Sequence, residues 1–373
     1  MKVALVHDHL AQEGGAEKVL KVFTEMFQEA PIYTLLYEPK NVAKNFSDRH
    51  IETSVIQKLP GGVRHYKWYL YFMPLAVEFF DLRPYDLVIS DASAFSKGVI
   101  TTPETTHICY CHTPTRYLWS DAHEYLNELP YNKWLKKIIS LLLSRLRLWD
   151  YCAAQRVDYF IANSKTVATR IQKYYRRDSV VIYPPVETEK FSISDLSQQT
   201  PDQRYFLAGC RLAPYKRIDL VIEAFKKLGP DYRLKIFGDG VDLPRLEKNA
   251  AGSSNIEFLG RVSEAEKAKL FSEAQAFINP QEEDFGITVV ESMAAGRPVI
   301  AYGRGGATET VIANQTGLFF SEQTPESLET AVRKFSSIKF DANLIRRHAE
   351  EFSIENFERQ MRDFIATHKV KSV

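Results

Sequence analysis

The sequence predicts an α/β protein: two successive open parallel sheets, each flanked by helices. Three observations carry that prediction. Short apolar runs alternate with segments of helical period along nearly the whole chain, the pattern of strand–helix–strand units. The alternation breaks at Tyr183-Pro184-Pro185-Val186 and again in the polar stretch 195–202, because paired prolines continue neither a helix nor a central strand. The length, 373 residues, exceeds one small domain at roughly 100–200 residues per domain. We therefore expect an N-terminal unit over 1–186 and a C-terminal unit over 200–353.

The first strand is expected at Val3–Val6. After a turn of small residues, Val19, Val22, Phe23, Met26 and Phe27 recur at helical spacing and mark one buried face. Leu87–Ser90, Ile108–Tyr110 and Tyr159–Ala162 read as further strands. Tyr66–Phe80, Trp134–Ala154 and Thr166–Tyr175 read as the helices between them. Past the break, the expected strands are Tyr205–Ala208, Tyr232–Phe237, Ile256–Leu259, Ala276–Ile278, Val299–Ala301 and Gly317–Phe320. The expected helices are Asp219–Leu228, Leu243–Ala250, Glu264–Glu273, Val289–Ala295, Thr308–Ala313 and Pro325–Phe335. In open parallel sheets, ligands bind beyond the carboxyl ends of strands, so functional residues are expected in the loops just after them.

Composition excludes several classes. At 45% apolar and 25% charged residues the chain is globular rather than disordered. Forty-eight basic against 47 acidic side chains leave +1, which argues against a nucleic-acid binder. Four cysteines are too few for a disulfide framework, and Cys109-x-Cys111 lacks the spacing of a zinc site. No leader-like segment opens the chain, and no apolar run approaches the ~18 residues of a membrane span. A cytoplasmic protein is expected.

Four strings hold the candidate chemistry. In Asn279–Val299, Glu283 lies in the loop after a strand and Glu291 about one turn into the next helix. First-turn N–H groups near Phe285, Gly286, Ile287 and Thr288 have no intrahelical partner. Two carboxylates and those N–H groups suit a polyhydroxyl ligand; as a plain helix cap, Glu283 would mean nothing more. In Gly209–Phe225, Arg211 and Lys216 stand together at a strand end, a planar fork and a point charge suited to a diphosphate, or else a solvated basic loop. Gly14 and Gly15 after the first strand let a ligand approach the backbone at a helix start, or simply turn the chain. His112 follows a strand within Cys109–Trp119, in polar and aromatic company. Gly238 and Arg261 also end strands, the latter placed to meet a flat base.

Together these strings resemble glycosyltransferase family 4, whose fold is GT-B. The likeness rests on Glu283 and Glu291 with seven residues between, on Arg211 with Lys216 before Ile218-Asp219-Leu220, and on Gly305-Gly306 with Glu309-Thr310. A finer likeness, to bacterial O-antigen mannosyltransferases, rests on His7-Asp8, Gly14-Gly15-Ala16-Glu17, His112-Thr113-Pro114 with Arg116-Tyr117, Tyr183–Val186 and Glu283–Thr288. The resemblance implies two Rossmann-like domains facing across a cleft, with a last helix over about 354–373 returning to the first. It implies a retaining transferase that moves a hexose, mannose from GDP-mannose, onto a glycan or polyprenyl-diphosphate-linked acceptor. Glu291 would hold the ribose, Glu283 the sugar, Arg211 and Lys216 the diphosphate, with Gly14 and Gly15 closing on it, and His112 the transferred hexose. Asp8, His65, Tyr66 and Arg116 would serve the acceptor. No cofactor is implied. No Asp-x-Asp string stands in the C-terminal loops, so no metal is expected.

Arg64–Phe72 is aromatic and basic, and 131–149 carries Lys133, Lys136, Lys137, Arg145 and Arg147 with no acid. Such a stretch is either a core helix with a solvated edge or a contact with an anionic membrane, which would be the inner face of the cell membrane. A UDP-sugar transferase, a nucleotide-sugar epimerase, a hydrolase using the two glutamates and a non-catalytic sugar binder are the alternatives.

Overall fold

A computed structural model describes residues 1–197, 199–200 and 203–368. Part of the expected interdomain stretch (198, 201, 202) and the last five residues of the expected final helix (369–373) lie outside the described residues. The chain divides into two compact units, 1–183 with 357 onward, and 184–356. The division falls at Tyr183/Pro184, earlier than the proline signal places it. Val186 accordingly sits in the second unit, where its N–H donates to Phe352 O at 2.9 Å.

In the first unit the elements run β1 (Val3–Leu10), α1 (Gly15–Met26), β2 (Ile32–Tyr37), α2 (Pro39–Phe46), β3 (Ile51–Thr53), α3 (Met73–Glu78), β4 (Leu87–Ala92), β5 (Thr106–Cys111), α4 (Ala122–Glu128), α5 (Lys133–Arg156), β6 (Tyr159–Ala162), α6 (Lys165–Tyr175) and β7 (Ser179–Val181). Among the described residues the sheet order is β3-β2-β1-β4-β5-β6-β7, all parallel. Both faces are covered, so central strands are apolar runs rather than alternating ones; every residue of β4 and β5 is buried. The expected helix over Tyr66–Phe80 is instead a 3-10 stretch, Tyr66–Phe72, followed by α3. Pro74 sits in the first turn of α3, a position where its missing N–H costs nothing, whereas it would break a continuous helix.

The second unit runs β8 (Phe206–Gly209), α7 (Ile218–Leu228), β9 (Leu234–Phe237), α8 (Leu243–Ala250), β10 (Ile256–Gly260), α9 (Glu264–Glu273), β11 (Phe277–Asn279), α10 (Ile287–Ala294), β12 (Val299–Tyr302), α11 (Ala307–Thr310), β13 (Gly317–Phe320), α12 (Pro325–Phe335) and α13 (Ala342–Ala349). Its sheet order is β10-β9-β8-β11-β12-β13, and its core joins Phe206, Ile222, Phe225, Ile236, Ile278 and Phe320. Side-chain caps set several helix starts. Ser263 and Glu266 form a reciprocal capping box on α9. The last helix, α14 (Ile354–His368), buries Phe357, Met361, Phe364 and Ile365, one stripe at helical spacing. Phe357 meets the rings of Phe23 and Tyr110 at 5.5 and 5.7 Å.

Each sheet reverses its winding at one point, between β1 and β4 in the first unit and between β8 and β11 in the second. Such switch points open a crevice at the strand ends.

Candidate functional site

In the second unit, β8 leads into a loop that closes with one 3-10 turn, Pro214–Lys216, before Arg217 turns into α7. Across the switch point, β11 leads through Glu283 to α10. The Lys216 ammonium pairs with Glu283 Oε1, with both side chains largely enclosed. Burial alone would lower the Lys216 pKa; the Glu283 carboxylate outweighs it and raises it. Cys210, in the same loop, is pushed up to about 12 by burial, against the pull of Lys216. Arg211 stands exposed on the loop and donates to the Tyr215 hydroxyl at 3.0 Å.

The Glu283 loop is shaped from beneath by glycines. Gly306 N–H donates to Glu283 O at 2.8 Å. A Cβ on Gly305 would lie 2.5 Å from Glu283 O, and one on Gly306 would lie 2.4 Å from Phe285 Cα. Gly286 caps α10 with φ 92°, a conformation that glycine adopts without strain. Ile287 and Thr288 remain partly exposed at the helix start. Phe285, expected to serve the donor through the N–H groups near it, buries its side chain with the ring 5.7 Å from Phe352, which packs the loop down. Gly238, also expected at the donor, has φ 119°, and a Cβ there would stand 1.9 Å from Cys210 O. Its smallness serves the β8 loop. Arg261 is exposed just after β10.

Glu291 is buried, and its Oε1 accepts from Lys267 Nζ at 3.0 Å. Lys267, on α9, also meets Glu264 at 2.9 Å. Sequence reading missed Lys267 because α9 carries Lys267 and Lys269 in similar company; only packing tells which one faces Glu291.

In the first unit, the ends of β1, β4 and β5 gather a buried polar cluster. Asp91 accepts from His7 Nδ1 at 2.8 Å and from His112 Nε2 at 2.6 Å. His7 Nε2 lies 3.7 Å from Glu17 Oε1 in the first turn of α1. Burial opposes a charge on His7, yet hydrogen bonding to Asp91 and Glu17 raises its pKa to about 10. Burial would likewise raise the Asp91 carboxyl, but His112 and His7 hold it below the usual carboxylate range. Gly14 caps α1, and a Cβ there would stand 2.9 Å from Glu17 Oε2. The helix start that Gly14 and Gly15 were expected to offer a diphosphate thus already holds a carboxylate of its own, which complements the helix dipole.

Asp8 differs from expectation. Its two oxygens accept four backbone N–H bonds, from Ser93, Ala94, Phe95 and Ser96, each at 2.7 Å. A saturated, buried carboxylate shapes the loop after β4 and has no lone pair directed to an acceptor. Of the other acceptor candidates, His65 stacks on Trp68 at 4.5 Å, Tyr66 lies 5.2 Å from the His9 ring, and Arg116 bridges Asp121 at 3.1 Å. These stay half-buried. The basic stretch is α5, whose outer face leaves Trp134, Ile138, Leu141 and Leu148 exposed beside Lys133, Lys137 and Arg145. Its inner face buries Leu143, Leu146 and Asp150. Among the described residues no helix is long and apolar enough to cross a membrane.

Residues 13–190 match the family model for Glycosyltransferase Family 4, and residues 190–352 match that for Glycosyl transferases group 1. The chain belongs to the family 4 glycosyltransferases. Its fold is GT-B: the Anabaena protein HepE, solved with UDP, superposes at TM-score 0.72 with 17% identity over 98% of this chain and 100% of that one. The alpha-1,3/1,6-mannosyltransferase ALG2 of Dictyostelium discoideum is 23% identical across 98% of both chains. A glycosyltransferase of Methanocaldococcus jannaschii, MJ1178, is 28% identical over 54% of this chain; that match spans 56% of MJ1178.

Proposed function

We propose that this glycosyltransferase takes a hexose from a nucleotide diphosphate sugar, specifically mannose from GDP-mannose, and passes it with retained configuration to a glycan carried on a polyprenyl diphosphate. The observation that carries the reading is the Lys216–Glu283 pair at the switch point of the second sheet. With no donor, each group neutralises the other. A diphosphate competes with Glu283 for Lys216, and the released carboxylate then accepts hydroxyls of the hexose. Breaking the sugar–phosphate bond leaves charge on the departing diphosphate. Arg211 and Lys216 meet that charge from fixed positions, the kind of stabilisation that contributes most to many enzymes. No metal is needed for that step. Glu291, held by Lys267, takes the ribose hydroxyls, and His112 contacts the transferred hexose. The retained configuration calls for the acceptor to approach from the side the diphosphate leaves, with a leaving phosphate oxygen taking its proton.

Mannose is favoured by the likeness to ALG2, which aligns over nearly its whole length. A UDP-sugar is the second reading, favoured by HepE, whose structure holds UDP. A thermal-shift panel of GDP-, UDP- and ADP-sugars separates the two. GDP-mannose should give the largest rise, and Lys216→Ala should abolish it. A larger rise with a UDP-sugar would transfer the proposal to that donor, and none with any nucleotide sugar would end it. The exposed apolar and basic face of α5 suits an anionic bilayer at the cytoplasmic side, where a lipid-linked acceptor resides. Co-sedimentation with phosphatidylglycerol vesicles at low salt tests this: protein left wholly in the supernatant refutes it.

A further inference from the structure

We propose that Asp91 is a positioning residue that holds His112 in the Nε2–H tautomer, so that Nδ1 offers a lone pair to a hydroxyl of the transferred hexose. The inference rests on the reading of His112 as a sugar contact and adds to it which atom acts and what aims it.

Asp91 stands opposite His7 on β1 and Tyr110 on β5, two residues short of His112. An ionised carboxylate only accepts hydrogen bonds. His7 Nδ1 and His112 Nε2, at 2.8 and 2.6 Å from its two oxygens, must therefore both carry protons. In neutral His112 that leaves Nδ1 as an acceptor. The Tyr110 ring, edge-on at 5.3 Å, fixes the plane of the imidazole. The groups facing this histidine are thus Asp91, Tyr110 and, one step behind, His7 with Glu17. Burial grades outward: the side chains of Asp91 and His7 are 1% and 3% exposed, that of His112 12%. His112 is the member of the cluster that a ligand can reach.

His7 makes the arrangement one-directional. It lies between two carboxylates, its Nδ1 donating to Asp91 at 2.8 Å and its Nε2 paired with Glu17 at 3.7 Å, and keeps its charge. Asp91 cannot turn toward Glu17 or yield its bond to His7 without leaving a buried charge unmatched, and its second oxygen is left for His112.

Asp91→Asn tests this, because an amide has one accepting and one donating end. His7 Nδ1–H, which faces this position at 2.8 Å, keeps the carbonyl oxygen. The NH2 group then faces His112 Nε2, which must accept, and the proton moves to Nδ1. The lone pair offered to the sugar becomes an N–H. The tautomer is read directly in long-range 1H–15N spectra of the full-length protein labelled with 15N-histidine, in mildly alkaline buffer, with His112 assigned by its loss in His112→Gln. Wild-type protein should show protonated Nε2, and Asp91→Asn protonated Nδ1. In calorimetry, Asp91→Asn should weaken GDP-mannose roughly tenfold, about the worth of one hydrogen bond, and leave GDP unchanged. Protonated Nδ1 in the wild type overturns the proposal without any variant, as does an unchanged tautomer in Asp91→Asn or an equal loss for GDP and GDP-mannose. Wild-type protein that ignores GDP-mannose overturns the donor reading, while the spectra still decide the role of Asp91.

Discussion

Lys97→Met should destabilise the first unit by about 3–5 kcal/mol, the usual cost of removing one partner from a buried ion pair. Lys97 and Asp150 have side chains 2% and 1% exposed, and Lys97 Nζ meets Asp150 Oδ1 at 2.5 Å. Thr115 Oγ1, Trp119 Nε1 and Tyr175 Oη donate to the same carboxylate at 2.8, 2.7 and 2.8 Å. Four segments meet there: the loop after β4, the loop after His112, α5 and α6. Removing Lys97 leaves a charge that three neutral donors stabilise only in part. Asp150→Asn should cost a comparable amount, since it strands the ammonium instead. The double variant removes both charges, and replacing a whole buried pair by neutral groups is often nearly neutral. The coupling should therefore reach about 2 kcal/mol or more, beyond the few tenths expected of independent sites. Urea melts followed by tryptophan fluorescence suit the measurement. All four tryptophans of the chain, Trp68, Trp119, Trp134 and Trp149, belong to the first unit, so the signal reports its unfolding alone. An equal m-value in every variant would show that stability, not the unfolded ensemble, has changed. A loss below about 1 kcal/mol for Lys97→Met, or strict additivity, would show that the two groups are not an energetically coupled pair.

Two further outcomes follow from the structure. The His7 pKa, about 10 in the fold against an ordinary 6.5, makes the first unit depend on pH. Below 6.5 both folded and unfolded chains are protonated and the contribution is full; above it the unfolded chain loses its proton first, and the contribution vanishes as pH rises through 10. The difference, 10 − 6.5 = 3.5 pH units, corresponds to at most about 5 kcal/mol. The urea midpoint should fall across that window, and a His7→Gln variant with the same slope would contradict the assignment. In the second unit, Gly238→Ala should lower the melting temperature much more than Gly252→Ala. Both glycines have positive φ, a strain of about 1–2 kcal/mol for alanine, but only Gly238 would also drive its Cβ against Cys210 O, whereas nothing stands within 4 Å at Gly252. Equal losses would remove the steric argument.

Much of the architecture is legible in the chain. Tyr159–Ala162, Leu243–Ala250, Glu264–Glu273, Gly317–Phe320 and Pro325–Phe335 form where periodicity and turn residues place them. β2 is absent from the expected strands, although Ile32–Tyr37 is apolar, aromatic and bounded by Pro31 and Pro39, a usable signal of a buried strand. β3 and β7, three residues each, are too short to show any period. The second-unit site was partly legible: Lys216 and Glu283 were both singled out, but as separate ligand contacts rather than as partners of each other. The structural role of Asp8 is not legible in sequence, because its four N–H donors lie 85–88 residues away.

Strand–helix alternation, family membership and the loops where chemistry gathers are readable from the chain, because these depend on local periodicity and on short motifs. The partners come from packing: Glu17 and Asp91 around His7, Asp91 behind His112, Lys267 on Glu291, Lys216 on Glu283. A carboxylate's charge is written in the chain. Whether it holds a loop, aims an imidazole or waits for a ligand depends on which donors packing brings within 3 Å, and those come from strands and helices far apart in sequence.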